Sequence, residues 1–173
     1  TSESISSTDQ PVNALRKLKK SSMRLGINSV KLNECDGLVS AGNTGALMAI
    51  SKFVLKTIKA IDRPAIAALM PTMKGQTVIL DLGANVECSS ENLVQFAIMG
   101  DMFSRSVLGI KNPKLGLLNV GSEQIKGNTV VKKTFDDLKK MNSKINFFGF
   151  VEGNDINKGV VDVIVTDGFS GNI

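Results

Sequence analysis

The chain has 173 residues, 42% of them hydrophobic and 21% charged, which suits a cored globular domain and excludes a disordered or fibrous chain. No apolar run reaches membrane-span length, two cysteines make no disulfide framework, and there is neither a CxxC pair nor a histidine for structural zinc. The lack of histidine also excludes a Ser-His-Asp triad or an imidazole base within the chain, while a net charge of +5 favours an anionic ligand or an acidic partner. Nucleic acid is disfavoured, because Trp and Tyr are absent and the eight Phe are not interleaved with basic residues.

Thr1 to Gln10 is polar and Ser-rich, has no signal-peptide core, and reads as a flexible end or loop. Pro11 to Leu25 predicts a basic helix carrying Arg16, Lys17, Lys19, Lys20 and Arg24, either a solvated face or a docking surface for an acidic protein. Ser29 to Glu34 then links to an apolar run, Gly37 to Ala41, expected to be the first strand. Gly42-Asn43-Thr44-Gly45 breaks that run, and a helical pattern follows from Gly45 to Lys59 with Leu47, Ile50, Val54, Leu55 and Ile58 on its apolar side. Arg63-Pro64 stops it. Ala65 to Met70 reads as a strand ending at Pro71, Met73 to Gln76 as a turn, and Thr77 to Leu82 as the next strand.

Ser89 to Leu108 is the longest helical pattern. Ser89 or Ser90 caps it, Glu91 sits in its first turn, and Leu93, Phe96, Ala97, Gly100, Met102 and Phe103 form its apolar surface. Leu115 to Val120 is a strand, Asn128 to Met141 a helix with Val131, Thr134, Phe135 and Leu138 on one side, and Lys144 to Val151 a further strand. Gly153-Asn154-Asp155 turns the chain into a last strand, Val160 to Thr166. Alternating strands and helices predict one α/β domain over 1–173, a mostly parallel sheet with helices on both faces. The chain stops just past a glycine loop, without the helix its sibling loops feed, and has no initiator Met. A piece of a longer protein, truncated at both ends, is expected.

One grammar repeats. Four apolar strands each deliver a polar turn at their carboxyl end: Gly42 to Gly45, Gly83-Ala84-Asn85, Gly121 to Gly127, and Asp167 to Asn172. In an open α/β sheet those ends share one edge, where ligands bind. Glycines allow close backbone approach, and N–H groups at a helix start suit an anion.

The motifs DGLVSAGNTGALM, VILDLGANVEC, LVQFAIMGDMF, LLNVGSEQIKGN and DVIVTDGFSGNI, in this order and spacing, closely resemble the PlsX family of acyl-acyl carrier protein:phosphate acyltransferases of bacterial phospholipid synthesis. The resemblance runs from about Pro11 to Ile173. It implies a three-layer α/β/α fold similar to phosphotransacetylases and to the isocitrate/isopropylmalate dehydrogenase group, usually as a homodimer. It also implies transfer of a fatty acyl group from an acyl carrier protein thioester to inorganic phosphate, with no cofactor and no metal. A cytoplasmic protein is implied, with peripheral membrane association only through family segments absent here, as is the first strand region with its Gly-Gly-Asp motif.

That chemistry suits a chain without histidine. Phosphate is already an anionic nucleophile, and a thiol of pKa about 8.5 leaves without a strong acid. Holding phosphate beside the carbonyl and stabilising the oxyanion remain to be done. Lys126 is the one cation inside the four loops and is expected to bind phosphate or the oxyanion, unless it is an ordinary solvated lysine. The resemblance suggests an active-site amide at Asn172, whose plainer role is a turn or cap. Gly42, Asn43, Thr44, Gly45, Gly83, Gly121, Gly127, Gly168 and Gly171 are expected around phosphate or substrate, although Asn43 and Thr44 equally suit an N-cap. Asp81, Asn85 and Asp167 either orient Lys126 and the amides or satisfy loop backbone, and Glu123 is placed to pair with Lys126. Cys88 has no evident base beside it and reads as a packed thiol.

Three rival readings are available. A dinucleotide site fails because Gly42 to Gly45 lacks the first glycine of GxGxxG and Asp62 precedes Arg63-Pro64 rather than ending a strand. A phosphotransacetylase-like acyl-CoA:phosphate acyltransferase is nearer. A non-catalytic fragment that docks an acidic protein through Arg16 to Arg24 is the third.

Overall fold

A computed structural model describes residues 1–123, 125–141 and 143–172. Gln124 of the third glycine loop, and Ile173, which ends both the last motif and the expected domain, lie outside the described residues. Where one domain over 1–173 is expected, the chain divides into two compact units, Thr1–Pro64 and Ala65–Ile173.

The first unit contains α1 (Pro11–Lys17), α2 (Ser22–Lys31) and α3 (Thr44–Leu55). Its core is Ala14, Met23, Ile27, Ala46, Ile50 and Val54, with Ile5, Leu15, Leu18 and Leu47 packed around it. The single helix expected over Pro11 to Leu25 is two. The apolar spacing of Ala14 and Leu18 would next fall on Ser21 and Ser22, and Ser21 instead caps a new helix by accepting from the Arg24 N–H. Its hydroxyl also donates to the Leu18 carbonyl at 2.7 Å. The first ten residues are irregular but tied down. Lys20 N–H donates to Glu3 Oε2 at 2.7 Å, Ser22 N–H to the Glu3 carbonyl at 3.1 Å, and Ile5 joins the core.

The strand expected at Gly37 to Ala41 does not form, and Val39 is 99% exposed. A strand needs a neighbour for its N–H and C=O groups, and this unit has no strand among the described residues. Helix α3 also stops short of Lys59, because Lys56 turns to φ 70° and leaves Ile58 81% exposed.

The second unit holds β1 (Ala67–Thr72), β2 (Gly75–Leu80), α4 (Ser90–Leu108), β3 (Lys114–Leu118), α5 (Thr129–Lys140), β4 (Asn146–Val151), α6 (Gly153–Ile156), β5 (Val163–Val165) and α7 (Gly168–Gly171). The sheet order is β1-β2-β5-β3-β4, with β1 antiparallel to β2 and every other pair parallel. This is the expected α/β class, a mostly parallel sheet with helices around it. Pro71 is tolerated inside β1 because β1 is an edge strand.

Alternation along the strands sorts the two faces. Val78, Leu80, Leu115, Leu117, Val163 and Val165 face a core with Leu93, Phe96 and Ala97 of α4 and Leu138 of α5. Ile79, Val151, Val161 and Ile164 face the other side, where Ile156 of α6 packs. Helix α4 begins with a reciprocal cap between Ser89 and Asn92 and ends at Gly109, which adopts the left-handed conformation at φ 70°. Leu115 pairs with Val163 and Leu117 with Val165, so the parallel strands bring their carboxyl ends, and the loops that follow, to one edge.

Candidate active site

The loop after β2 is organised by Asp81, a fully buried carboxylate at 0% exposure. Its Oδ1 accepts from the N–H groups of Ile66 (2.9 Å) and Ala84 (3.2 Å). Its Oδ2 accepts from the N–H (2.6 Å) and side-chain Nδ2 (2.8 Å) of Asn85. A buried anion is tolerable when its lone pairs are filled in this way. Cys88 donates its thiol to the Asn85 carbonyl at 3.4 Å and packs partly buried against the core.

The loop after β5 docks directly on this one. Gly168 N–H donates to the Asn85 carbonyl at 2.8 Å. A Cβ on Gly171 would collide with the Asp81 carbonyl oxygen, so only glycine permits the approach. Asp167 Oδ1 caps α7 by accepting from Ser170 N–H at 2.7 Å. Asn172 follows α7, exposed, with its Oδ1 3.2 Å from where a Cβ on Gly83 would stand. Asp81, Gly83, Asn85, Asp167, Gly168, Gly171 and Asn172 therefore form one connected structure.

The loop after β3 carries Lys126. Its Nζ lies 2.9 Å from Glu123 Oε2, the pairing the sequence suggests. That hydrogen bond holds the lysine above its ordinary pKa, with Glu152 adding a smaller attraction, and holds the Glu123 carboxyl below its own. Lys126 is thus a fixed cation at neutral pH rather than a general base. Gly121 packs against the Lys126 stem.

Two residues that hold this loop escape sequence reasoning. Asn119 donates through Nδ2 to the carbonyls of Gly121 (2.9 Å) and Lys126 (3.3 Å). Glu152 Oε1 accepts from Ser122 N–H at 3.1 Å. A polar residue closing the apolar run LLN was the available signal for Asn119; Glu152, thirty residues away, left none.

Between the β3 and β5 loops opens a cavity of about 420 Å³, within the range of small-molecule sites. Leu93, Leu117, Val131 and Ile156 give it apolar walls, and Asn119, Asn128, Thr166, Asp167 and Ser170 supply polar groups. Gly127 lines it as well, next in sequence to Lys126.

In the first unit, Asn43 caps α3 by accepting from Ala46 N–H at 3.0 Å. Its Nδ2 donates to the carbonyls of Ser6, Ser7 and Asp9. Thr44 opens α3, Gly42 lies beside Met23 Cε, and a Cβ on Gly45 would strike Pro11. The basic cluster is split: Arg16 and Lys17 end α1, Lys19 and Lys20 occupy the turn, and Arg24 begins α2. The first four are exposed, while the Arg24 guanidinium sits 5.4 Å from the Phe53 ring centre.

A mostly parallel open sheet with a cleft among its carboxyl-edge loops defines an α/β protein of the open-sheet class. A family model described as fatty acid synthesis protein matches residues 1–173, and the chain belongs to that family, the PlsX family its motifs resemble. It is 58% identical over 173 residues to a protein of Paramagnetospirillum magneticum named phosphate acyltransferase, all of this chain and 49% of that one. Similarly named proteins of Rhodospirillum centenum and Methylococcus capsulatus are 57% and 56% identical over 173 and 172 residues, 100% and 99% of this chain and 49% and 50% of theirs. The chain spans about half the length of the curated relatives it matches. Among the described residues, no helix is long and apolar enough to cross a membrane.

Proposed function

We propose that the protein to which this chain belongs is an acyltransferase that moves a fatty acyl group from an acyl carrier protein thioester to inorganic phosphate, giving acyl phosphate for phospholipid synthesis. The observation that carries this reading is the cavity of about 420 Å³, apolar in its walls and polar at its loops, lined by Gly127, the sequence neighbour of Lys126. Relatives named phosphate acyltransferase support it.

A phosphate oxygen attacks the thioester carbonyl carbon, forming a C–O bond and a tetrahedral oxyanion. The C–S bond then breaks, and the thiolate leaves without a strong acid and takes a proton from solvent. Lys126 binds phosphate or the developing oxyanion, and the Asn172 amide donates beside it. The apolar walls accept the start of the acyl chain. Exposed Arg16, Lys17, Lys19 and Lys20 steer the acidic carrier protein, and the enzyme works as a cytoplasmic homodimer.

The test is acyl-phosphate formation by the full-length protein from long-chain acyl carrier protein and phosphate, trapped as the hydroxamate. Product that requires phosphate is expected. Free fatty acid alone, or no turnover, overturns the reading. Faster turnover of acetyl-CoA transfers it to the phosphotransacetylase-like alternative.

A further inference from the structure

We infer that Asn119 is a positioning residue that clamps the Lys126 loop shut at the cavity, so that the cation's placement depends on one carboxamide. This rests on the acyl-transfer reading of the site. Asn119 follows β3, and its own N–H donates to the Val151 carbonyl at 2.9 Å, which continues the β3–β4 ladder by one residue. Its backbone is therefore part of the sheet. From that rigid base its Nδ2 donates to the carbonyl of Gly121 at 2.9 Å and of Lys126 at 3.3 Å. One amide nitrogen thus joins the first residue of the loop to the residue that carries the charge, which closes a ring five residues further round.

The far side of the clamp is fitted too. Gly127 takes φ 89°, and a Cβ there would collide with Asn119 Oδ1. The chain after Lys126 therefore presses on the face of the same carboxamide. Asn119 and Gly127 both line the cavity. Across the loop, Ser122 N–H is held by Glu152 Oε1 at 3.1 Å. Glu123 pairs with Lys126, but both are about half exposed, at side-chain exposures of 56% and 48%. An exposed pair of that kind orients weakly. Lys126 N–H also donates to the Glu123 carbonyl at 3.0 Å, a turn within the loop, whereas the bonds from the Asn119 side chain tie the Lys126 backbone to the sheet.

Only an amide or another two-donor group meets this need. A carboxylate of the same shape donates nothing and repels both carbonyls. Misplacing a charge-stabilising group by about 1 Å costs on the order of 10²-fold in rate.

The experiment uses the full-length protein with Asn119→Asp, Lys126→Met and the double variant. Hydrogen exchange at the Ser122 to Gly127 amides is read beside acyl-phosphate kinetics. Asn119→Asp is expected to speed exchange in that loop while β3 and β4 amides keep their protection. It should lower kcat by about 10–10²-fold with the KM for the acyl donor little changed. On the Lys126→Met background it should lower kcat less than about 2-fold, because the group it positions is already gone. Equal effects on both backgrounds, or unchanged exchange in the loop, overturn the inference. If the wild-type protein makes no acyl phosphate, the functional reading fails separately, and the exchange result alone decides the clamp.

Discussion

Replacing Asp81 by asparagine isolates what holds the β2 loop. The substitution keeps the volume and turns one carboxylate oxygen into an NH2 group. Whichever oxygen is replaced, two of the four N–H donors lose their acceptor: Ile66 and Ala84 on one side, or both Asn85 groups on the other. A buried donor left without a partner costs about 1–3 kcal/mol, so two cost about 2–6 kcal/mol. Equilibrium urea unfolding measures it, with hydrogen exchange at Leu82 to Asn85 as the local probe. Activity should fall as well, since the Asp81 carbonyl is the surface on which Gly171, and next to it Asn172, rests. An unchanged unfolding midpoint together with unchanged protection at Ala84 and Asn85 would refute the reasoning, because the carboxylate would then not be what holds the loop.

Lys126→Met should lower turnover by about 10²–10³-fold with little loss of stability, and near-normal turnover at saturating phosphate removes Lys126 from the transition state. A rise in the phosphate KM alone reassigns it to ground-state binding. Charge reversal at Lys17 and Lys20 should slow association with acyl carrier protein, more at low salt than at high, as read by stopped-flow mixing; identical rates at low salt leave that surface as plain solvated charge. A hydrogen bond from Lys133, then its own backbone N–H and Ser89, holds the Glu91 carboxyl near pKa about 2 instead of 4.5. A depressed carboxyl pKa adds stability above the unfolded value that is lost as pH falls through the folded one, here from 4.5 towards 2. Glu91→Gln should therefore flatten the acid limb of the melting-temperature profile slightly, and less in added salt; superimposable profiles count against the pair.

The second unit was largely legible because its signals are local and redundant. Ser89 before a long apolar periodicity, and the apolar run in Thr77 to Leu82, each point to one element, and the structure realises both within a residue or two. The first unit was less so. Gly37 to Ala41 has a strand's composition, but pairing is a property of a neighbour, not of the segment. Pro11 to Leu25 has a helix's composition throughout, and only the loss of apolar spacing at Ser21 and Ser22 marks the break. At the site, residue types such as Lys126 and Asn172 could be chosen from their loops. The ties could not: Asp81 to Ile66 and Ser122 to Glu152 span fifteen and thirty positions, and side chain-to-backbone bonds of that kind leave no periodic trace.

The position of β5 bears on how the protein comes into being. Of the five strands described it comes last in the chain, yet it lies in the middle of the sheet, hydrogen-bonded to β2 on one side and β3 on the other. Until Val163–Val165 leaves the ribosome, the β1–β2 hairpin and the β3–β4 pair have no strand among the described residues to join them, and β2 and β3 each expose an open edge. Such non-local closure is slow and leaves intermediates with unpaired edges. The cavity shares that timing, since Thr166, Asp167 and Ser170 complete its wall. One strand therefore completes both the sheet and the candidate active site, and deleting β5 should leave a protein that is both aggregation-prone and inactive.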